Sequence, residues 1–591
     1  MRSTGSIRIR GILAICLLSP LAVMLVTMRP AAAAAAADTS RQLKRPNILL
    51  MVVEDLGPRI GAYGDTLAHT PNIDKLAHEG VMFTQAFTAA GVCSPSRAAL
   101  IMGLHPETFG AQHMRVSSFG EIRIPPGNAA LSVGIPYEAV PPAYAKAFPE
   151  LLRAAGYETL NKGKTDYQIG NPFSIWDISG DDVSLDDWSG EKPFFLMMSD
   201  NNTHESRLFR PETTLYTPRI VDRVAGYMGR FKDGFPFSDP LDVTVPGYLP
   251  DTPRVRRDLA RQYDNIRLLD NWVGTVISDL ARRSLLDSTV IIFTTDHGDG
   301  FPRAKRTVYD SGLHVPFIVR FPKGQAAGTV RHDLISFVDL APSLLSLGRA
   351  PLPSYLQGRD VLTSDRGLAR THIFAARGRI DEYPDRVRAV RDSRYKYVRN
   401  EIPGRPQLAP VSYRENALMM QSLRDEHSAG RLRPAFSAYF SKDRPLEELY
   451  DIYTDPHETN NLADHPQFGH VKTRLARALQ DHRQQTGDLA PLSETEMVLD
   501  HMWPKGEQPK TLAPLVRIND AKKGKREITV SSLTGGASIG YRFCEAQGCD
   551  DDARYHLYTQ PVIVPPHAVT IESKAIRYGF AESGVVVRSL E

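Results

Sequence analysis

Cysteine is scarce in this chain: 591 residues hold four, at positions 16, 93, 544 and 549. Charge of one sign is missing too, since 71 Lys and Arg face 68 Asp and Glu for a net charge of +3. A chain so balanced carries no electrostatic footprint for nucleic acid, and none is expected as a partner. Beyond the N-terminus there is no apolar run long enough to span a bilayer. No repeat of solenoid or propeller period occurs, which excludes those architectures.

What the N-terminus does contain is informative. Arginines at 2, 8 and 10 precede an apolar run over 11–27 and an alanine tract over 31–37. That order reads as a secretory signal peptide over residues 1–37, cleaved within the alanine tract, with a retained anchor as the alternative. Cys16, in LAIC, lacks the small preceding residue of a lipid-attachment site. The mature chain is expected to be secreted or periplasmic, with no stable membrane span. Export places thiols where they tend to pair. Cys544 and Cys549, in CEAQGC, are near enough to bridge, which leaves Cys93 as the odd cysteine.

The segments ILLMVV (48–53), PFFLMMSD (193–200) and STVIIFTTDHG (288–298) are apolar runs without alternation that end in charge. Strands covered on both faces of a parallel sheet have this character. Residues 256–286 place Leu259, Tyr263, Ile266, Leu269, Val273, Val276 and Leu280 at helical spacing. The alternation predicts an α/β fold: a large mixed, mostly parallel sheet flanked by helices, over residues 45–385. A smaller α+β subdomain is expected over 386–510, with EELYDIYTDPHETNNLA as strand, turn and capped helix, and a linker at its end. Period-two alternation after residue 514 predicts an all-β module over 514–591.

Two acidic pairs fall at strand ends: Glu54-Asp55 after ILLMVV, and Asp296-His297 after VIIFTT. Either alone reads as polar loop residues at the surface, but a doubly wound sheet brings strand ends together. Oxygen-rich ligands of this kind suit Ca²⁺ or Mg²⁺ better than zinc. Cys93 precedes Ser94-Pro95, which can cap and start a helix, with Arg97 in its first turn. Amide groups, helix dipole and guanidinium would make an anion site there. The thiol itself is open to four readings: buried structural cysteine, disulfide partner, thiolate nucleophile, or precursor of a modified side chain.

Cys93-Ser94-Pro95-Ser96-Arg97 resembles the C-x-P-x-R core of the formylglycine-dependent type I sulfatases, within the alkaline phosphatase superfamily. PNILLMVVEDLG, TPNIDKLAHEGVMF, GYETLNKGK, TTDHGDG, KRTVYDSGLHVPFIV and ELYDIYTDPHETNNLA are similar to family segments in the same order, over residues 45 to about 465. The last segment resembles β-sandwich modules appended to carbohydrate-active enzymes. The resemblance implies a sulfuric ester hydrolase acting on a sulfated carbohydrate. It implies Cys93 converted to formylglycine as nucleophile by a formylglycine-generating or anaerobic sulfatase-maturating enzyme. Glu54, Asp55, Cys93, Asp296 and His297 become the metal ligands, calcium being usual and magnesium possible. Arg97 would hold the modified residue, Lys164 and Lys305 would grip sulfate, and His204 would protonate the leaving oxygen. Three positions depart from the family: Met102 for threonine after the core, Asp166 for histidine after GK-x, and His297 for asparagine. His113 is a candidate for the cationic role that Asp166 cannot fill. The alternatives are a phosphomonoester or phosphonate hydrolase of the same superfamily, or a non-catalytic glycan-binding descendant.

Overall fold

The computed structural model describes residues 45–114, 136–211, 225–363, 370–489, 491–521, 524–549 and 554–590. The expected signal peptide lies outside them. Strands β1 (Asn47–Val53), β2 (Val81–Phe87), β3 (Glu158–Lys162), β4 (Ile178–Gly180), β5 (Phe194–Met198), β6 (Thr289–Thr295), β7 (His314–Arg320), β8 (Thr329–Arg331) and β9 (Ile335–Ser336) form one sheet. Its order is β4-β3-β5-β1-β6-β7-β2-β8, with β9 beside β2. From β4 to β6 neighbours run parallel, whereas β7 is antiparallel to both β6 and β2, so the sheet is mixed.

Helices α1 (Pro71–His78), α2 (Cys93–Met102), α3 (Phe148–Ala154), α4 (Pro253–Arg282) and α5 (Leu340–Leu347) cover the sheet. Every residue of β1 and β6 is buried, which is why neither strand alternates. The pleat still sorts them: Ile48, Leu50 and Val52 join the core formed with α2, α3 and α5, while Leu49, Met51 and Val53 join the core formed with α1 and α4. Thr252 caps α4 through the Val255 amide, with Pro253 in the first turn, and the predicted stripe from Leu259 to Val273 is buried. Strands β1 and β6 are paired to their last residues, Val53 opposite Thr295, so Glu54-Asp55 and Asp296-His297 leave the sheet side by side.

A four-stranded antiparallel sheet follows, from β10 (Ile373–Arg377), β11 (Val387–Arg391), β12 (Tyr395–Asn400) and β13 (Glu447–Asp451). It therefore begins earlier in the chain than residue 386. Helix α6 (Leu418–Ser428) packs on α4, and α7 (Gly469–Thr486) buries Val471, Leu475 and Leu479 against Val390, Tyr397 and Leu449 of the sheet. No helix follows β13 directly: the Asp455 carboxylate accepts the Thr459 and Asn460 amides at 2.8 Å each, which closes a turn where helical bonds would form. The expected linker is only partly one, since Met497, Val498 and Met502 enter the main core and Glu494 pairs with buried Arg379.

The C-terminal strands form two antiparallel sheets, β14 (Leu515–Asp520), β15 (Arg526–Ser531) and β18 (Val562–Ile563) in one, and β16 (Ser538–Cys544), β17 (His556–Leu557), β19 (Thr570–Ile576) and β20 (Val586–Ser589) in the other. Cys544 and Cys549 are disulfide-bonded, and Cys93 is free and buried. No helix among the described residues is long and apolar enough to cross a membrane.

Candidate active site

Helix α2 starts at Cys93 itself, with Val92 as the extended residue before it, rather than one residue later as the Ser94-Pro95 pair suggests. Ser94 is not the cap, because its hydroxyl donates to Asp166 Oδ1 at 2.6 Å. The helix is buried at every position, and Met102 sits in the core at its end. Arg97 explains how a cation tolerates this. Its guanidinium donates to Asp296 Oδ2 and Ser199 Oγ at 3.1 Å each, and to the carbonyls of Lys164 at 3.3 Å and Val52 at 3.4 Å. A fully desolvated charge needs such a complete set of acceptors.

The strand ends then meet the helix start. Donor atoms of Asp55, Cys93, Asp296 and His297, all buried, lie within 4.8 Å of one another, as do those of Glu54, Asp55, Cys93 and His204. Asp55 has φ of 53°, a left-handed conformation that aspartate tolerates and that ends β1 abruptly. His297 Nδ1 lies 2.9 Å from the Gly298 carbonyl, which can only accept, so that nitrogen carries hydrogen. In the neutral ring, Nε2 then presents its lone pair to Asp55 Oδ1 at 3.2 Å and Cys93 Sγ at 3.3 Å. Carboxylate oxygens and an imidazole nitrogen converging at a buried point fit a divalent cation.

Cations compensate these acids. Lys305 Nζ donates to both Asp55 oxygens at 2.7 and 2.9 Å and lies 3.0 Å from Glu205, while Lys164 Nζ reaches Glu54 at 2.8 Å. Burial alone would raise the Asp55 carboxyl, but Lys305 and the two histidines hold it well below the carboxylate range. Burial likewise pushes the Cys93 thiol up, and Lys164 and Lys305 outweigh it to bring the thiol down to about 6. His297 is pushed down by burial and pulled up to about 10 by Asp296 and Asp55, so with the carboxylates alone Nε2 holds a proton, and a bound cation would take that proton's place.

His204 stands at the rim, with Nε2 3.8 Å from Glu54 Oε2. Its Nδ1 lies 2.9 Å from Ser206 Oγ and 3.3 Å from the Ser206 amide, so Nδ1 is engaged by Ser206 in either protonation state and Nε2 is the nitrogen left to the site. His113 does not join the group. Its Nδ1 accepts the Arg379 amide at 2.8 Å and burial brings its pKa down to about 4, so it is neutral and cannot replace the missing cation. Asp166 instead holds the start of α2 through Ser94. Residues that spacing did not single out complete the site. Arg306 makes a two-pronged pair with Glu205 at 2.8 and 2.6 Å, which brings the Glu205 carboxyl down to about 2, and Ser199 supports Arg97. Glu205 directly follows His204 and Arg306 directly follows Lys305, yet nothing local shows that the two meet.

Glycines of DHGDG are sites of close approach. A Cβ on Gly298 would lie 2.2 Å from the Ser311 carbonyl, and one on Gly300 would lie 2.9 Å from Asp55 Oδ2.

Residues 46–176 and 183–350 match the family model described as Sulfatase, and residues 300–401 match the model described as N-sulphoglucosamine sulphohydrolase, C-terminal. The chain is 38% identical over 560 residues to an ulvan-active sulfatase of Formosa agariphila, covering 92% of this chain and 91% of the relative. It is 29% identical to the N-sulphoglucosamine sulphohydrolase of Homo sapiens, over 75% of this chain and 90% of that one. The solved structure of a 2-O GAG sulfatase shares the fold, with a TM-score of 0.54 at 21% identity over 76% of this chain and 94% of that one.

Proposed function

The chain belongs to the sulfatase family, and from that premise we propose that it removes sulfate from a sulfated carbohydrate outside the cytoplasm, using a nucleophile made from Cys93 beside a divalent cation. The observation that carries this reading is the convergence of Asp55, Cys93, Asp296 and His297 at one helix start, ringed by Arg97, Lys164 and Lys305. Glu54, Asp55, Asp296 and His297, with the side chain at position 93, would hold the cation.

A divalent cation, Ca²⁺ by family resemblance with Mg²⁺ as the alternative, supplies Lewis-acid charge to a sulfate oxygen when bound. Formylglycine at position 93, formed by a formylglycine-generating or anaerobic maturating enzyme, supplies a hydrated aldehyde as oxygen nucleophile. Arg97 orients the side chain at 93 by fixing the first turn of α2 to both strand ends. Lys164 and Lys305 neutralise charge on the sulfuryl oxygens, and Glu205 with Arg306 keeps the Lys305 ammonium aimed inward. His204 acts as the imidazolium, with Nδ1–H on Ser206 Oγ: its Nε2 proton passes to the leaving oxygen as the ester bond breaks, and the ring is left as neutral imidazole. The leader-like residues 1–37 and the Cys544–Cys549 disulfide support export. Likeness to the ulvan-active sulfatase makes ulvan oligosaccharides the first substrates to assay, with N-sulfoglucosamine second.

Mass spectrometry of the Cys93 peptide from active protein is expected to show formylglycine, and a wholly unmodified thiol in active protein overturns this nucleophile. Paired assays on aryl sulfate and aryl phosphate are expected to favour sulfate. Faster phosphate turnover would instead support the phosphomonoesterase reading.

A further inference from the structure

A second cluster lies outside the catalytic group and shares no residue with it. His105 leaves the turn after α2, Glu107 sits in the short helix Pro106–Thr108, and His482 lies on α7 of the α+β subdomain. Their donor atoms lie within 4.8 Å of one another. Glu107 Oε1 is 3.9 Å from both His105 Nδ1 and His482 Nε2. His105 and Glu107 are 1% and 2% exposed.

The polar atoms here are unsatisfied. His105 Nδ1, Glu107 Oε2 and His482 Nε2 are buried without a hydrogen-bond partner. Among the described residues, Glu107 pairs with no Lys or Arg: nearby Arg388 is committed to Asp488, and Arg370 to Asp339. The surroundings are apolar and aromatic, with Phe374 stacked 3.8 Å from the His482 ring and the two imidazoles edge to face at 4.5 Å. A buried carboxylate and two buried imidazoles, with donor atoms within 4.8 Å of one another and polar atoms left without hydrogen bonds, carry a desolvation cost.

We propose that His105, Glu107 and His482 form a second metal site, for a zinc-class divalent cation, that fastens the catalytic α/β domain to the α+β subdomain. Two imidazoles and one carboxylate are a common zinc donor set, with a fourth position left for water. Bond lengths of about 2.0–2.1 Å around a tetrahedral ion put donors about 3.3 Å apart, so the 3.9 Å separations close by small side-chain shifts. The clamp is independent of the nucleophile at position 93.

The test uses the full-length protein, stripped with chelator, reloaded with calcium and then titrated with zinc alone. Zinc also has access to the catalytic cluster, so the readout is a difference between proteins that all keep it. Wild type is expected to bind one more equivalent of zinc than the His105→Gln/His482→Gln double variant, by elemental analysis after desalting. Zinc is expected to raise the unfolding temperature of the wild type beyond any rise in the double variant. Should the double variant fold poorly, the isosteric Glu107→Gln variant serves, with the extra equivalent bound more than about 100-fold more weakly, beyond the loss typical of an outer-shell partner, and so lost on desalting. Equal zinc content in wild type and either variant overturns the site and leaves a metal-free His–Glu–His cluster.

Discussion

At the scale of single residues, His204 and Gly300 separate chemistry from support. With Nδ1 engaged by Ser206, Nε2 of the His204 imidazolium is the nitrogen that can give a proton at the rim of the site and leave a neutral ring. His204→Gln is therefore expected to lower kcat by about 10²–10⁴-fold on a sulfated sugar, where the departing alkoxide needs that proton. On 4-nitrophenyl sulfate, whose leaving group is stable as an anion, the loss should be much smaller. Comparing kcat for the two substrates checks the role, and equal losses would point to a positioning role instead. Gly300 touches no substrate in this scheme. A Cβ there meets Asp55 Oδ2 and the Glu205 Cβ at 2.9 Å each, so Gly300→Ala displaces the carboxylate proposed to hold the cation. Activity of the variant should become dependent on added cation, with apparent affinity weakened about 10–100-fold, the scale of outer-shell changes at metal sites. A calcium titration of activity reads this directly.

At the scale of elements, Asp258 couples α4 to α6. It is buried in α4, accepts the Met419 amide at 2.8 Å through Oδ2 and leaves Oδ1 without a partner. Burial raises its pKa from 3.8 to about 7 despite that hydrogen bond and the nearby arginines. The folded state thus holds this proton more tightly than the unfolded chain, so the group's contribution is complete below about pH 4 and lost as pH rises through about 7. Asp258→Asn keeps the acceptor for Met419 and cannot ionise. It is expected to unfold in urea close to wild type near pH 4, to gain on wild type steadily as pH rises towards 7, and to be more stable at pH 8 by up to about 4 kcal/mol. A wild-type advantage at pH 8 would contradict the buried-carboxyl account. Elements also show where sequence reading succeeds. The runs in β1, β5 and β6 and the stripe on α4 are legible because covering both faces, or one helical face, dictates composition locally. The turn at Asp455 and the burial of Met497, Val498 and Met502 are not, since side-chain capture of amides and docking onto a distant core leave no periodic trace. For the site, the acidic pairs and Cys93 to Arg97 stand out in the chain, whereas the Glu205–Arg306 pair and the His105–Glu107–His482 cluster join residues made neighbours only by folding.

At the scale of the whole molecule, the C-terminal β sheets are part of the catalytic body. Glu150, in α3 and buried, accepts hydrogen bonds from Ser538 Oγ and Tyr578 Oη at 2.6 Å each, with Lys146 Nζ 3.6 Å away. Lys146 also donates to the Gly536 carbonyl at 2.8 Å, and Arg153 donates to the Tyr555 carbonyl. Tyr578 itself lies in the same core as Phe148, Tyr157 and Phe195, so the main hydrophobic core contains a residue supplied from beyond position 514. Removing residues 514–591 would open that core and strip two donors from a buried carboxylate, a different loss from detaching a tethered glycan-binding appendage. The full chain is therefore expected to unfold in one calorimetric transition across these parts, and Tyr578→Ala to destabilise by about 3–5 kcal/mol, the scale of truncating a buried aromatic. Activity on a small aryl sulfate, which no accessory glycan surface would contact, should fall with the truncation because the fold around α3 fails. If the truncated protein keeps wild-type turnover and melting temperature on that substrate, the module is a separable appendage and the Glu150 network is dispensable.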